Sequence, residues 1–285
     1  MRQKFLLSLC LGATVVLSAC EQMTDEEVER AVAGVNVIDE NNLNDIMLRA
    51  GDPEEAVAYF RRTLSAHPER VDLKRGLAKS LVRAGKASEA SRIWSEVLAS
   101  GEASNDDRIS AADTMIRAGD WTKAREVLNT VPPTVESFDR YRLEAMVADA
   151  KKDWKRADSF YETAVGLTTR PAGVYNNWGF SKLTRGDYKG AEAMFLEAIT
   201  YDDNLFTAKN NLMMARGAQR KYDMPVFPMT QKERAQLLHT LGLAAIKQGD
   251  VTMGKTLLRE AISTHPQHFD EAVRALRALE ANVAS

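Results

Sequence analysis

Residues Ala172–Asp203, AGVYNNWGFSKLTRGDYKGAEAMFLEAITYDD, decide the fold. Arg185-Gly186-Asp187 is a turn signal set between two stretches of helical periodicity. In the second stretch Ala191, Phe195 and Ala198 stand at i, i+4 and i+7, and so share one face. A large aromatic between two small residues is a knob with a hole on either side. In the first stretch Gly179 is expected where a neighbouring backbone comes close. Such a hairpin cannot bury its apolar face alone, so it needs copies of itself as neighbours.

The copies are present. With Gly186 as the turn mark, the equivalent residues upstream are Lys152, Gly119, Gly85 and Gly51, at successive spacings of 34, 33, 34 and 34. Five positions after each mark comes a small residue: Ala56, Ala90, Ala124, Ala157 and Ala191. Four further on comes a large one: Phe60, Trp94, Leu128, Tyr161 and Phe195. Small residues recur in the first helices at Ala78, Ala112, Ala145 and Gly179, Pro68 closes the first unit, and Pro132-Pro133 shortens the second helix of the third. This period and pattern resemble the tetratricopeptide repeat, a helix-turn-helix unit of about 34 residues. The expected fold class is all-α: a right-handed solenoid of helix-turn-helix units over 37–205.

After Gly186 the register breaks. The next clear mark is Gly249, which lies 63 residues on. Phe206 to about Arg220 reads as another first helix, but Pro225 and Pro228 forbid a normal second one. Residues 206–229 are therefore expected to form half a repeat plus an extended link, and 230–285 a last unit with a capping helix over Phe269–Leu279. The link has two readings, a strap packed on its own array or an exposed apolar contact around Phe227.

At the N-terminus Arg2 and Lys4 precede the apolar run Phe5–Leu17 and then Leu17-Ser18-Ala19-Cys20. A basic start, a short apolar run and small residues at its end make a secretory signal over 1–19, too short for the ~20 residues of a membrane span. Leu-Ser-Ala-Cys resembles the bacterial lipobox, which implies cleavage before Cys20, lipid on its thiol and a tether over 20–36. The alternative is an ordinary signal that happens to hold a cysteine. Cleavage would remove Cys10 with Arg2 and Lys4, taking the net charge from −2 to −4. By resemblance to enterobacterial sorting, Glu21 implies the outer membrane, with the protein facing the periplasm.

The chain is 45% apolar and 27% charged, ordinary for a folded protein. Near-neutral charge gives no basic footprint for nucleic acid. Beyond Cys20 there is no thiol, and only four histidines occur in the chain. His265-Pro-Gln-His268 has a metal-like spacing, yet His67-Pro68 holds the same repeat position, so it reads as a repeat feature. Glycines fall at turns and packing positions rather than in a phosphate loop. Met213-Met214 and the tryptophans read as core. No enzyme site, metal, cofactor other than the Cys20 lipid, or small-molecule substrate is expected.

The informative polar residues are paired asparagines. Asn41-Asn42, Asn176-Asn177 and Asn210-Asn211 fall at one repeat position early in a first helix. First helices line the groove of such a solenoid, and an amide can both donate to and accept from an extended peptide backbone. A purely structural role stands equally open for the second and third pairs and is favoured for Asn41-Asn42.

The lipobox, the repeats, the proline break and the segment Met229–Asp250, MTQKERAQLLHTLGLAAIKQGD, together resemble the TadD-like tetratricopeptide lipoproteins of the tight-adherence (Flp/Tad) pilus system. The resemblance implies a scaffold with protein partners, aiding assembly of the pilus or its outer-membrane secretin, and no catalytic residues. The other readings are a lipoprotein adaptor in another envelope process, such as outer-membrane protein assembly or cytochrome maturation, and, least favoured, an enzyme.

Overall fold

The computed structural model describes residues 43–281; Cys20 and Asn41-Asn42 lie outside them. Every regular element among the described residues is helical. A short helical segment over 43–49 precedes α1 (Pro53–Ala66), and antiparallel pairs follow. They are α2 (Val71–Arg83) with α3 (Ala87–Ala99), α4 (Asn105–Arg117) with α5 (Trp121–Leu128), α6 (Phe138–Ala150) with α7 (Trp154–Gly166), and α8 (Ala172–Thr184) with α9 (Tyr188–Tyr201). Then come α10 (Phe206–Ala218), α11 (Gln231–Lys247) with α12 (Val251–Thr264), and a final α13 (Asp270–Ala281). The fold is that of a tetratricopeptide solenoid.

The turn marks carry out their expected work. Gly85, Gly119, Gly186 and Gly249 all take φ between 74° and 84°, the left-handed conformation that closes a helix end. The residue after each mark bonds back to a carbonyl five before it, as in Asp187 N to Lys182 O at 2.9 Å. Lys152 does the same work with a side chain, at φ 62° and with Asp153 N to Ala148 O at 3.0 Å. In five of the units the following helix is then capped by an aspartate one past the mark, while α3 starts from Lys86 with no side-chain cap. Asp52, Asp120, Asp153, Asp187 and Asp250 each accept from a backbone N–H of the first turn, satisfying a donor the helix itself cannot.

The knobs fill the holes between units. Phe60, Trp94, Leu128, Tyr161 and Phe195 are at most 1% exposed, and burying each is worth roughly 2–3 kcal/mol. The small residues beside them are equally buried. Gly179 is required by something other than a backbone: a Cβ there would stand 2.6 Å from the Phe195 ring. Gly76 makes the same room for Phe60. For Gly179 the close neighbour is the hairpin's own aromatic knob, and for Gly76 it is the knob of the preceding unit.

The core falls into three clusters. One runs from Val57 to Val147 and one from Ala191 to Ala272. Between them a small cluster of Ala145, Ala148, Ala157, Tyr161, Ala164 and Val174 joins the fourth and fifth units. The fully buried part of this joint is mostly alanine, with Phe138, Tyr141, Phe160, Val165 and Trp178 packed half-buried around it.

The sixth unit shows why the register breaks. Arg220, 34 residues after Gly186, also turns left-handed at φ 59°, and Lys221 N bonds to Arg216 O at 3.0 Å. The turn is therefore made, and Lys221 itself is no bar to a helix, since Lys86 opens α3 from the same position without a side-chain cap. But Pro225 stands where Ala191 N closes the first helical bond to Asp187 O, and proline has no N–H to donate. The chain runs on as a strap over 221–230. Extended backbone advances about 3.3 Å per residue against 1.5 Å in a helix, so ten residues do the work of a second helix. Tyr222, Met224, Phe227 and Met229 pack onto the C-terminal core cluster, while Val226 points wholly outward. Buried Lys209 pins the strap, donating to Pro228 O at 2.7 Å and to Glu233 Oε1 at 3.3 Å, with Nζ over the Phe227 ring. Thr230 then starts α11 with a reciprocal capping box to Glu233.

Candidate functional site

The first helices of the units share one face, and along it lies a series of concavities. Toward the N-terminal end a cavity of about 540 Å³ is lined by Leu48, Lys79, Arg83, Trp94, Asp113 and Arg142, among others. Three aspartates line it, Asp45, Asp113 and Asp139, and the charge of Asp113 is met within the protein: it accepts from Arg117 at 2.6 Å and from Arg142 at 2.9 Å. Burial alone would raise the Asp113 carboxyl, but those two bonds outweigh it and hold the carboxyl below its usual range.

The second cavity, also about 540 Å³, lies over the joint between the fourth and fifth units. Met146 and Asp149 come from α6, Asn176, Asn177, Phe180 and Ser181 from α8, and Thr207 and Asn211 from α10. Trp121 and Trp154, the first residues of α5 and α7, close it at the side, with the Tyr161 ring beneath. Trp121 is 37% exposed and Phe180 50% exposed, so the wall is open to a ligand. Asp149 lies at the base, where the Ser181 hydroxyl donates to one oxygen at 2.6 Å and the Tyr161 hydroxyl to the other at 2.7 Å. Burial dominates there and leaves the Asp149 carboxyl above its usual range despite both bonds. The Tyr161 phenol is pushed well up, by burial first and then by the charge of Asp149.

A third cavity of about 650 Å³ follows between α8, α10 and α11, lined by Leu183, Asn210, Met214, Thr240 and Leu243, among others.

The asparagines divide between these spaces. Asn211 is buried, and its amide donates to Asn176 Oδ1 at 3.1 Å, joining α10 to α8. Asn210 accepts from the Thr240 hydroxyl at 2.7 Å, joining α10 to α11. These amides tie successive first helices together, so a structural role is part of their chemistry. Asn177 is less committed. Its amide N–H₂ reaches only the Met146 sulfur at 3.9 Å, a weak acceptor, and both amide and sulfur face the second cavity.

Trp94 is core, 1% exposed, but Trp121 and Trp154 are wall residues of the groove. Met213 is core while Met214 faces the third cavity. Of the two C-terminal histidines, His265 stacks on Phe269 and His268 meets Asp270 at 3.0 Å. Among the described residues no group of three or more His, Cys, Asp or Glu is placed to hold a metal ion.

Comparisons with known proteins agree with this architecture. The tetratricopeptide-repeat family profile matches residues 47–105. No curated protein sequence matches the chain. Among solved structures, a chain of the APC/C hetero-tetramer Cut9–Hcn1 is similar at TM-score 0.59 and 15% identity. That match covers 83% of this chain and 48% of the other, so this chain spans about half the length of that relative. A tetratricopeptide repeat protein from Parabacteroides merdae is similar at TM-score 0.56 and 14% identity, over 84% of this chain and 96% of that one. The C-terminal part of a repeat protein from Cytophaga hutchinsonii gives TM-score 0.53 and 14% identity, over 82% and 98%. At these identities the likeness is one of fold, and the fold is the tetratricopeptide solenoid, an architecture whose extended surfaces commonly bind other proteins.

Proposed function

We propose that the protein is a non-catalytic, lipid-anchored scaffold of the bacterial envelope that holds extended segments of partner proteins in its groove. The observation that carries the binding reading is the open second cavity. There exposed aromatic walls stand beside an uncommitted Asn177 amide, on the face shared by three successive first helices. An extended peptide laid across them offers backbone donors and acceptors to Asn177 and apolar side chains to the walls. The anchor reading rests on Leu17-Ser18-Ala19-Cys20. The assignment to tight-adherence pilus or secretin assembly at the outer membrane rests on the resemblance carried by the proline link and residues 229–250.

Capture from envelope membranes tests the whole reading. The wild-type chain is expected to retain secretin or pilin components and Asn177→Ala to retain less at unchanged helicity. Asn177 is the better probe than Asn211, whose loss would also break a helix-to-helix bond. Recovery of outer-membrane assembly or cytochrome-maturation proteins alone would replace the pilus assignment with an adaptor in another envelope process. Cys20→Ser is expected to release the protein into the soluble periplasmic fraction; retention in membranes would refute the anchor.

A further inference from the structure

The turn marks give every unit a common numbering. Three residues before the mark stand Leu48, Val82, Ile116, Leu183, Gly217 and Ile246 in six of the units. In the fourth unit the same position holds Asp149. A carboxylate in place of an apolar residue costs desolvation, and breaks in a local rule gather at functional sites.

Its partners orient it without neutralising it. Ser181 and Tyr161 each donate one hydroxyl, one to each oxygen. A carboxylate has about four acceptor sites, so roughly half its capacity is left. The nearby cations are engaged elsewhere. Arg185 donates from Nη2 to both oxygens of Asp158 at 2.8 Å with its guanidinium over one face of Trp154, Lys182 is shared between Asp187 and Asp158, and Arg142 is held by Asp113. The contrast with Asp113, which has two arginines of its own, lies within one groove. Asp149 is the one carboxylate or cation lining its cavity among the described residues, and the rest of the lining is aromatic, apolar, amide or hydroxyl. Aromatic faces attract cations, more so where water is excluded.

We propose that this cavity receives the side chain of a lysine or arginine from the bound partner segment, with the cationic head at Asp149 and the methylene stem against the aromatic wall of Trp121, Trp154 and Phe180. This rests on the groove reading above and adds to it the class of residue read. The incoming head supplies the opposite charge that the protein gives Asp113 internally, and Asn177 holds the segment's backbone alongside.

A random linear-peptide display library selected in parallel on the full chain and on Asp149→Asn tests it. Wild-type selection is expected to yield peptides with a lysine or arginine at one fixed position. Changing that residue to norleucine should weaken binding by about tenfold, the lower end of what a hydrogen bond between charged groups contributes. Asp149→Asn should bind the lysine and norleucine forms equally. Asn keeps the shape of the carboxylate and removes a buried charge, so the fold should be kept. Asp149→Leu, which restores the residue type of the other units, gives a second reading by the same measure. Selected peptides with no basic preference, or a preference unchanged in both variants, would overturn the inference and leave the groove reading intact. Enrichment of no peptide at all would sink both.

Discussion

Replacing Gly179 by alanine sets two calculable effects against each other. In an exposed helix the change would stabilise by about 1 kcal/mol, because glycine is the more flexible residue in the unfolded chain. Here the new Cβ would stand 2.6 Å from Phe195 Cε1 and 2.7 Å from Cδ1, distances that real Cβ atoms do not keep. The ring cannot step aside. Phe195 is fully buried, and Ala191 and Ala198, also fully buried, flank it on its own helix. Overpacking of this kind costs typically 1–3 kcal/mol, and the strain must be large enough to exceed the propensity gain. The net expectation is a loss of up to about 2 kcal/mol. Urea unfolding followed by circular dichroism reads it, together with the double variant Gly179→Ala/Phe195→Leu. The smaller Leu gives the Cβ room, so the two changes together should cost less than the sum of each alone. A Gly179→Ala protein more stable than wild type, as propensity alone requires, would refute the packing of Phe195 beneath Gly179.

Lys152→Gly should stabilise the fourth unit by about 0.5–1 kcal/mol: relief of a left-handed side-chain residue is worth roughly 1–2, less the extra freedom of glycine in the unfolded chain; an unchanged or lower unfolding midpoint would contradict it. Glu192 gives a pH signature. Burial alone would raise its carboxyl, but bonds from Lys221, Gln219 and Arg216 outweigh burial and hold it below the ordinary 4.5. A depressed carboxyl contributes stability that is present above the unfolded value and lost as pH falls through the folded one. Glu192→Gln should therefore be less stable than wild type by about 1–2 kcal/mol at neutral pH, with the gap closing in acid below pH 4.5; a gap that stays constant on acidification would refute the assignment.

The fold was open to reading because its two governing constraints are local. A left-handed turn favours Gly at Gly85, Gly119, Gly186 and Gly249, and a knob needs Ala beside it, so both leave a mark at fixed spacing. Even Lys152 could be placed by counting. The turn at Arg220 was hidden because the residue is not glycine and the helix that should follow is missing. Which neighbour crowds Gly179 was also beyond the pattern, since spacing shows that room is needed and not what occupies it. The groove was read least completely. Asn176, Asn177, Asn210 and Asn211 were located by their shared position, but whether an amide faces a ligand or another helix depends on contacts such as Asn211 to Asn176. Trp121 and Trp154 resemble core by type and act as walls because each opens a second helix at the groove's edge. Asp149 did carry a signal. Comparing the position three before each mark picks it out, and that comparison needs only the repeat frame.

The alanine-rich joint between the fourth and fifth units bears on how the molecule carries load. Ties between units are short in sequence: Arg83 reaches the Met47, Leu48 and Gly51 carbonyls across 36, 35 and 32 residues. Tension applied at the two ends of the described residues must therefore pass through each junction in series. That junction has Tyr161 and Val174 as the larger buried side chains of its cluster, the rest being alanine, and is closed around them by half-buried Phe138, Tyr141, Phe160, Val165 and Trp178, whereas the cores on either side are larger and richer in Leu, Ile, Val and Met. The second cavity spans this very joint, touching α6, α8 and α10. A segment seated there would act as a splint across the joint, and strain that opened the joint would in turn loosen the grip on the segment.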